Sequence, residues 1–187
     1  MQNEKKPDRE LLIAGYGGQG VLTMGDLIIN SGTTLYNHVS WLPSYDTFTR
    51  GGRVVCYVIL SDEDILSPII SAPEIMVIMD STALDIYRNT LVPGGTLIID
   101  SCLVPPENVG RDDIKVFAVP ASDMAQSILT IKITNLILLG VYLKLTDALP
   151  LDLVEDVMNK TRGNMLKDGL LTVNQEAIRV GYNFQDG

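Results

Sequence analysis

The chain has 187 residues, 46% of them hydrophobic and 20% charged, and a formal net charge of −9. This length suits one domain with a full core, and the acidic charge argues against nucleic acid, whose phosphates require Lys and Arg. The polar start Met1–Glu10 has no apolar signal region, and the apolar run Leu136–Leu143 is far shorter than the roughly 20 residues of a membrane span. We therefore expect a cytoplasmic protein without a membrane segment, with a flexible tail at 1–10 and a single domain at 11–187.

Apolar strand-like runs alternate with helical patterns along the chain. The predicted strands, from their apolar and β-branched content, are Leu11–Gly15, Thr33–Tyr36 with an extension to Val39, Arg53–Leu60, Ile75–Asp80, Thr96–Asp100 and Ile114–Val119. The predicted helices are Val21–Ser31, Ser81–Leu91, Ala121–Leu145, Leu151–Thr161 and a last one that starts at a capping box on Thr172. This alternation predicts an α/β fold, a three-layer Rossmann-like domain with a mostly parallel sheet and helices on both faces.

A glycine-rich turn follows the first strand. Gly15, Gly17 and Gly20 have the spacing of a dinucleotide-binding turn, in which free N–H groups and the helix dipole attract an anion. An NAD or FAD site also needs an acidic residue about 20 positions further on, and the stretch Leu35–Val39 contains none. The missing acidic residue disfavours the dinucleotide interpretation but leaves it open beside two others, an anion-binding loop and a device for helix packing. Gln19, a polar residue at the helix entrance, favours contact with a ligand or partner.

The segment Ser40–Gly52 has neither helical nor strand periodicity, and it is rich in aromatic residues. A loop of this length inside a compact domain is usually functional or mobile. Arg50 offers a fork of donors for phosphate or carboxylate, and Gly51 and Gly52 permit close backbone approach. Because this loop follows the second strand, we expect it to share a pocket with the glycine turn.

Other chemistry-bearing residues have simpler interpretations. Cys56 and Cys102 lie in or beside apolar runs and are predicted to be buried free thiols. His38, the only histidine, is expected to be structural. Asp80 and Asp100 stand at strand ends, as general bases or as caps of the following turns. Two cysteines are too few for an iron–sulfur cluster, and no pattern of metal ligands is present.

Several motifs together resemble the gamma subunit of 2-oxoacid:ferredoxin oxidoreductases. In chain order they are Gly15–Val21, Trp41–Tyr45, Arg50–Gly52, Ser61-Asp62, Ser67-Pro68, Val119–Ala121, Asn135 and Asn174–Gly181. The Trp41–Tyr45 segment is most similar to the 2-oxoglutarate and branched-chain 2-oxoacid branches. The chain departs from the family at Asp46-Thr47-Phe48, where relatives commonly carry Gly-Pro-Glu or Gly-Ala-Glu.

The resemblance implies a subunit, inactive alone, of a complex that converts a 2-oxoacid and coenzyme A (CoA) into acyl-CoA and CO2. Thiamine diphosphate with Mg²⁺ and iron–sulfur clusters would lie on alpha, beta and delta partners, and ferredoxin would accept two electrons. CoA would bind at or near this chain. The residues that the resemblance places at the entrance of the active site are Gly15, Gly17, Gly18, Gln19, Gly20, Ser44, Tyr45, Arg50, Gly51 and Gly52. Two other hypotheses stay open: a stand-alone NAD- or FAD-binding oxidoreductase, and a non-catalytic assembly protein.

Overall fold

The computed structural model describes residues 9–45, 52–162 and 169–185. Within these ranges one sheet has the strand order β2-β3-β1-β4-β5-β6. The strands are β1 (Arg9–Tyr16), β2 (His38–Tyr45), β3 (Arg53–Ser61), β4 (Ile75–Ile78), β5 (Thr96–Asp100) and β6 (Lys115–Val119). The helices are α1 (Val21–Gly32), α2 (Ser81–Tyr87), α3 (Ala121–Ile128), α4 (Thr134–Thr146), α5 (Leu151–Arg162) and α6 (Leu170–Tyr182).

The sheet is mostly parallel, as predicted, with one antiparallel strand. β1, β4, β5 and β6 run in the same direction, and β3 is antiparallel to both of its neighbours, β1 and β2. One edge of the sheet therefore carries the ends of β1, β2, β4, β5 and β6 together with the start of β3. We call it the carboxyl edge, and the opposite one the amino edge.

The predicted second strand is wrong, and part of the predicted loop is a strand. Residues 33–35 form the turn that follows α1, and β2 occupies His38–Tyr45 instead. β2 pairs with β3 along its whole length, from His38 opposite Ser61 to Tyr45 opposite Val54. Pro43 lies within this ladder, opposite Cys56. The pairing supplies backbone hydrogen bonds without regard to side-chain alternation, and this explains how an aperiodic sequence forms a strand.

The first strand begins earlier than predicted. β1 starts at Arg9, so Arg9 and Glu10 belong to the sheet rather than to a tail at 1–10. Residues 1–8 lie outside the described residues. Arg9 is also tied down by its side chain, because its Nη2 atom donates a hydrogen bond to the carbonyl oxygen of Thr146, 2.8 Å away. The domain therefore includes at least two residues more than the expected range 11–187.

Alternate side chains of the strands fill two cores, one on each face of the sheet. On one face, residues such as Ile13, Val58 and Val77 pack against α1, α3, α4, α5 and α6. On the other face, Leu12 and Met76 pack against α2 and the segment after β5. Helices therefore cover both faces, as predicted, but most of them lie on one side. No helix in the described ranges has the length and apolar content to cross a lipid bilayer.

Three predicted helices need correction. The expected helix Ser81–Leu91 ends at Tyr87. The expected helix Ala121–Leu145 breaks after Ile128, and a short 3-10 turn at Ile131–Ile133 precedes α4. The break has a local cause, since the Thr130 hydroxyl caps the 3-10 turn by accepting from the N–H of Lys132, 3.4 Å away. The last helix begins after Gly169, which has a positive φ of 86°. Thr172 therefore lies inside α6 rather than at its N-cap.

Helices α4 and α6 cross with their backbones in contact. A Cβ atom on Gly140 would fall on the carbonyl oxygen of Ile178, and one on Gly181 would fall on that of Ile137. Residues 134–143 of α4 are all buried. This fits the prediction that an all-round apolar helix lies in the core. The start of α4 lies next to the glycine turn between β1 and α1, at the carboxyl edge.

Candidate functional site

The glycine turn joins β1 to α1 at the carboxyl edge. Gly18 and Gly20 have positive φ values of 100° and 82°, a conformation that other residues rarely adopt. Gly20 is the N-cap of α1, and its carbonyl oxygen accepts the first helical hydrogen bond from the N–H of Met24, at 2.9 Å. The N–H groups of the first turn of a helix have no partner within the helix. They point, with the positive end of the helix dipole, into the space in front of the turn.

Gln19 holds the turn together from inside. Its Oε1 atom accepts from the backbone N–H of Tyr16 at 2.6 Å, and its Nε2 atom donates to the carbonyl oxygen of Met79 at 2.9 Å. The side chain thus joins the ends of β1 and β4. Both ends of the amide have partners within the chain, so Gln19 positions the turn. Gln19 also lines a cavity beside the turn, and its predicted contact with a ligand or partner stays a prediction.

Replacing Gln19 by alanine is expected to lower the free energy of unfolding by about 2 kcal/mol, because two hydrogen bonds are lost and two backbone groups lose their partners. Urea denaturation measures this. Gln175→Ala is the matched control, since Gln175 makes a single exposed contact with Asn159, and it should cost less than about 0.5 kcal/mol. Equal losses from the two substitutions would show that the bridge does not stabilise the fold.

Asn135 supports the turn from behind, a role that sequence reasoning did not assign. This buried residue of α4 donates from Nδ2 to the carbonyl oxygen of Gly20 at 3.2 Å. A Cβ atom on Gly20 would lie 2.5 Å from the Asn135 amide. Gly20 is therefore required both by its φ angle and by the close approach of α4. The appearance of Asn135 among the family-like motifs was the only signal of this contact in the sequence.

The residue before β3 lies against the glycine turn. The backbone N–H of Gly17 donates to the carbonyl oxygen of Gly52 at 2.9 Å, so the last residue of the Ser40–Gly52 segment lies at the glycine turn. The pocket that this segment is expected to share with the turn stays a prediction. Arg50 and Gly51 lie outside the described residues. Ser44 and Tyr45 end β2 at this edge.

Two cavities meet at Gly18. The first, of about 270 Å³, lies in front of the start of α1, and its lining is Tyr16, Gly17, Gly18, Gly20, Val21, Leu22, Thr23 and Val54. The second, of about 320 Å³, lies between the turn and the start of α4, and its lining is Gly18, Gln19, Met79, Leu103, Ser122, Ile131, Lys132 and Thr134. Ser44 and Tyr45 line neither of them. They border a third hollow of about 330 Å³ together with Arg53, Val55, Ile86 and Tyr87.

The second cavity combines apolar walls with one cationic side chain. Leu103 and Ile131 are exposed, and the latter keeps 60% of its surface accessible. Lys132 stands exposed at the rim of the same cavity. Sequence reasoning missed Lys132 because it placed this residue within one long helix. The break after Ile128 directs it to the carboxyl edge instead.

Asp80 and Asp100 act as caps. Asp80 Oδ1 accepts from the N–H groups of Thr82 and Ala83, at 2.9 and 3.1 Å, and starts α2. Asp100 Oδ1 accepts from the N–H of Ser122 at 3.2 Å, and Oδ2 accepts from the Ser122 hydroxyl. The second oxygen of Asp80 is buried without a recorded hydrogen-bond partner. Neither carboxylate lines the two cavities at Gly18, so the capping interpretation fits better than that of a general base.

The cysteines and the histidine also lie outside the two cavities. Cys56 is buried and free, as predicted, whereas Cys102 is free but exposed, which contradicts the predicted burial. Cys102 follows the end of β5 in a turn, so it leaves the sheet before it can be covered. His38 begins β2 at the amino edge, with its Nε2 atom 3.6 Å from the carboxylate of Asp64. No metal-binding group of three His, Cys, Asp or Glu side chains occurs in the described part of the chain.

The sheet differs from that of a dinucleotide-binding unit in the strand that neighbours β1. In such a unit the second strand lies parallel to the first one and carries the acidic residue that binds ribose. Here the neighbour of β1 on that side is the antiparallel β3, with Arg53 opposite Tyr16. The place of the acidic residue is thus taken by the start of another strand, which weighs against the NAD or FAD hypothesis.

Two relatives found by comparison with known proteins are named as subunits of an oxidoreductase and of a synthase. The chain is 32% identical over 139 residues to ketoisovalerate oxidoreductase subunit VorA of Methanothermobacter thermautotrophicus, which is 74% of this chain but 28% of that protein. It is also 32% identical over 161 residues to 2-oxoglutarate synthase subunit KorC of Methanothermobacter marburgensis, with 82% of this chain and 86% of that protein covered. The chain thus spans less than a third of the VorA protein and most of KorC.

A solved structure agrees in fold. The 2-oxoglutarate:ferredoxin oxidoreductase from Magnetococcus marinus, with 2-oxoglutarate, coenzyme A and succinyl-CoA bound, superposes with a TM-score of 0.84 at 20% identity. The superposition covers 95% of this chain and 31% of that one. The model of the pyruvate ferredoxin/flavodoxin oxidoreductase family matches residues 10–184. The predicted resemblance is confirmed at the level of the family: this chain belongs to the pyruvate ferredoxin/flavodoxin oxidoreductase family.

Proposed function

We propose that this chain is the gamma subunit of a multi-subunit 2-oxoacid:ferredoxin oxidoreductase. The complex converts a 2-oxoacid such as 2-oxoglutarate and CoA into acyl-CoA and CO2, and two electrons pass to ferredoxin. In this proposal thiamine diphosphate with Mg²⁺ and the iron–sulfur clusters lie on alpha, beta and delta partner subunits. This chain covers the active site and handles CoA. The relatives named KorC and VorA support the reaction, and the CoA bound in the Magnetococcus enzyme supports the ligand.

One observation carries the proposed role in CoA handling, namely that two cavities of different chemistry meet at Gly18. The cavity in front of α1 offers backbone N–H groups and the positive end of a helix dipole, which suit a phosphate group. The neighbouring cavity offers apolar walls with Lys132 at the rim. CoA combines phosphates with a long, largely apolar pantetheine arm, so its two parts match the two cavities. Arg50 would add a second cation, but its position lies outside the described residues.

The substitution Lys132→Gln tests this assignment in the assembled complex. Lys132 borders the apolar cavity, which meets the phosphate cavity at Gly18, so its charge would act on the CoA phosphates from the neighbouring cavity. We expect KM for CoA to rise about threefold to tenfold with little change in kcat, because an exposed cation contributes modestly to phosphate binding. Activity is measured as reduction of a viologen dye at several CoA concentrations. Lys115→Gln is the matched control, since Lys115 is equally exposed but begins β6 at the amino edge. Equal effects of the two substitutions on KM for CoA would contradict the assignment.

The proposed function as a whole is tested by reconstitution. The chain mixed with a 2-oxoacid, CoA, thiamine diphosphate and a viologen dye should give no turnover until the partner subunits are added. Turnover by the chain alone would overturn the proposal. An increase in Tm on addition of NAD(H) or FAD, with none on addition of CoA, would instead support the stand-alone nucleotide-binding hypothesis.

A further inference from the structure

Residues 61–74 connect the end of β3 to the start of β4 at the amino edge, on the opposite side of the sheet from the glycine turn. They contain the family-like motifs Ser61-Asp62 and Ser67-Pro68, for which the proposed CoA role gives no use. We call residues 61–74 the amino-edge segment. It has no regular secondary structure beyond Ser61, yet it is held in a defined shape.

Side-chain hydrogen bonds fix the first part of the amino-edge segment. The Ser61 hydroxyl accepts from the N–H of Glu63 at 2.9 Å, and Asp62 Oδ1 accepts from the N–H of Asn37 at 3.3 Å. The Ser67 hydroxyl accepts from the N–H of Ile69 at 3.2 Å. The two serine contacts close local turns of the kind that serine favours, and the Asp62 contact ties the segment to the residue before β2.

The second part is anchored to the core and to the neighbouring strands. Ile70 is buried, with 5% of its surface exposed. The carbonyl oxygen of Pro73 accepts from the N–H of Val92 at 3.1 Å, and that of Glu74 accepts from the N–H of Thr96 at 2.9 Å. The amino-edge segment is therefore tied at both ends.

This fixed segment presents apolar side chains to solvent. Leu66 is 98% exposed and Ile69 is 63% exposed. Beside them an open hollow of about 730 Å³ lies against the first residues of β2, with Leu66, Ile65, Pro68 and Val39 in its lining. Apolar side chains on an already ordered backbone lose little further entropy when a partner covers them, which is the property of a binding anchor.

The charges around this apolar surface indicate what covers it. Asp62, Glu63 and Asp64 are consecutive, and Glu63 and Asp64 are exposed. A second copy of this chain would bring a net charge of −9 against another −9, and an anionic lipid surface or an acidic protein would be repelled in the same way. Within the chain, the carboxylate of Asp64 has His38 Nε2 3.6 Å away, and the acidic run as a whole still attracts cations. An apolar cleft with Lys and Arg at its rim suits both Leu66 and this acidic run.

We propose that the amino-edge segment is a docking surface for a partner subunit, with Leu66 and Ile69 inserted into an apolar cleft that has a basic rim. This inference rests on the proposed function, because the partner is a subunit of the same complex. It adds a second contact to the complex, on the edge opposite the CoA site. In VorA the matched part is 28% of that protein, so the counterpart of this domain there belongs to a longer chain.

The test compares variants in the complex assembled from purified subunits. The double substitution Leu66→Ser and Ile69→Ser should weaken binding of this chain to its partners at least tenfold by titration, with the CD spectrum and Tm of the free chain unchanged. Leu153→Ser on α5 is the control, because Leu153 is half-exposed and lies outside the segment, and it should bind as the wild type does. Asp64→Asn should weaken binding and reduce its dependence on salt.

Each outcome bears on one proposal only. If the wild-type chain does not bind the partner subunits, the proposed function fails. If it binds and the double variant binds within twofold of it, the docking surface is elsewhere and this inference is overturned. Hydrogen exchange gives an independent measurement, since amides of 62–70 should exchange more slowly in the complex than in the free chain. Dimerisation of the free chain through Leu66 in sedimentation experiments would overturn the choice of partner.

Discussion

Replacing Gly140 by alanine is expected to lower the free energy of unfolding by about 3 kcal/mol, the upper range for overpacking a core. The added methyl group would fall on the carbonyl oxygen of Ile178 in α6. Both groups belong to helix backbones, so neither can move aside by changing rotamer, and the helices must separate. Gly181→Ala should have a similar effect through Ile137. Urea denaturation followed by circular dichroism measures both.

The control for this prediction is Gly94→Ala. Gly94 has a φ of 78°, but a Cβ atom there would have no neighbour within 4 Å. Its substitution therefore adds backbone strain without a clash, and we expect a cost of about 1 kcal/mol. A cost at Gly140 no larger than that at Gly94 would show that α4 and α6 do not touch as described.

The second large effect concerns the two thiols. In the native chain at pH 8, a disulfide reagent should modify Cys102 roughly a hundredfold or more faster than Cys56. Cys56 is buried, and burial raises the pKa of its thiol to about 12, although the indole N–H of Trp41 donates to its sulfur at 2.8 Å. Cys102 is exposed. Partial desolvation by its neighbours raises the pKa of the Cys102 thiol as well, but the reagent can still reach the sulfur.

The native wild type should therefore consume one equivalent of the reagent, and the native variant Cys102→Ser should consume none. The denatured wild type should consume two, because both thiols are then accessible. The pH dependence has a definite sign. The unfolded Cys56 thiol ionises near its ordinary value of 9.0, whereas the folded one stays protonated to about 12. Stability from this group is thus complete below pH 9 and is lost as the pH rises toward 12. Rapid modification of Cys56 in the native state would contradict its burial.

The central strands and the fold class could be predicted from sequence because burial on both faces leaves a continuous apolar signal. Thr96–Asp100 is observed exactly as expected, and Arg53–Ser61 extends one residue beyond the prediction. β2 could not be found in this way. It lies at the edge of the sheet, where half-exposed positions accept Trp41, Pro43 and polar residues, and it depends on pairing with β3.

The site could be predicted only where its residues are neighbours in sequence. The glycine turn between β1 and α1 is a local pattern, and it was found. The contacts that shape it join distant positions, from Gln19 to Met79 across 60 residues and from Asn135 to Gly20 across 115. No single-sequence pattern encodes such pairs. Lys132 was missed for a different reason, because the helix break at Leu129 and Thr130 contains neither Gly nor Pro to signal it.

Pro43 has a consequence for the solution behaviour of the chain. It lies in β2, whose inner side is fully paired with β3 and whose outer side has no partner strand among the described residues. A proline is tolerated in such a strand when its missing N–H would have pointed outward. The outer row of hydrogen-bonding groups is then interrupted in its middle, so an arriving strand cannot form an unbroken ladder along it. Open-ended stacking of chains into fibres is thereby discouraged at this border of the molecule.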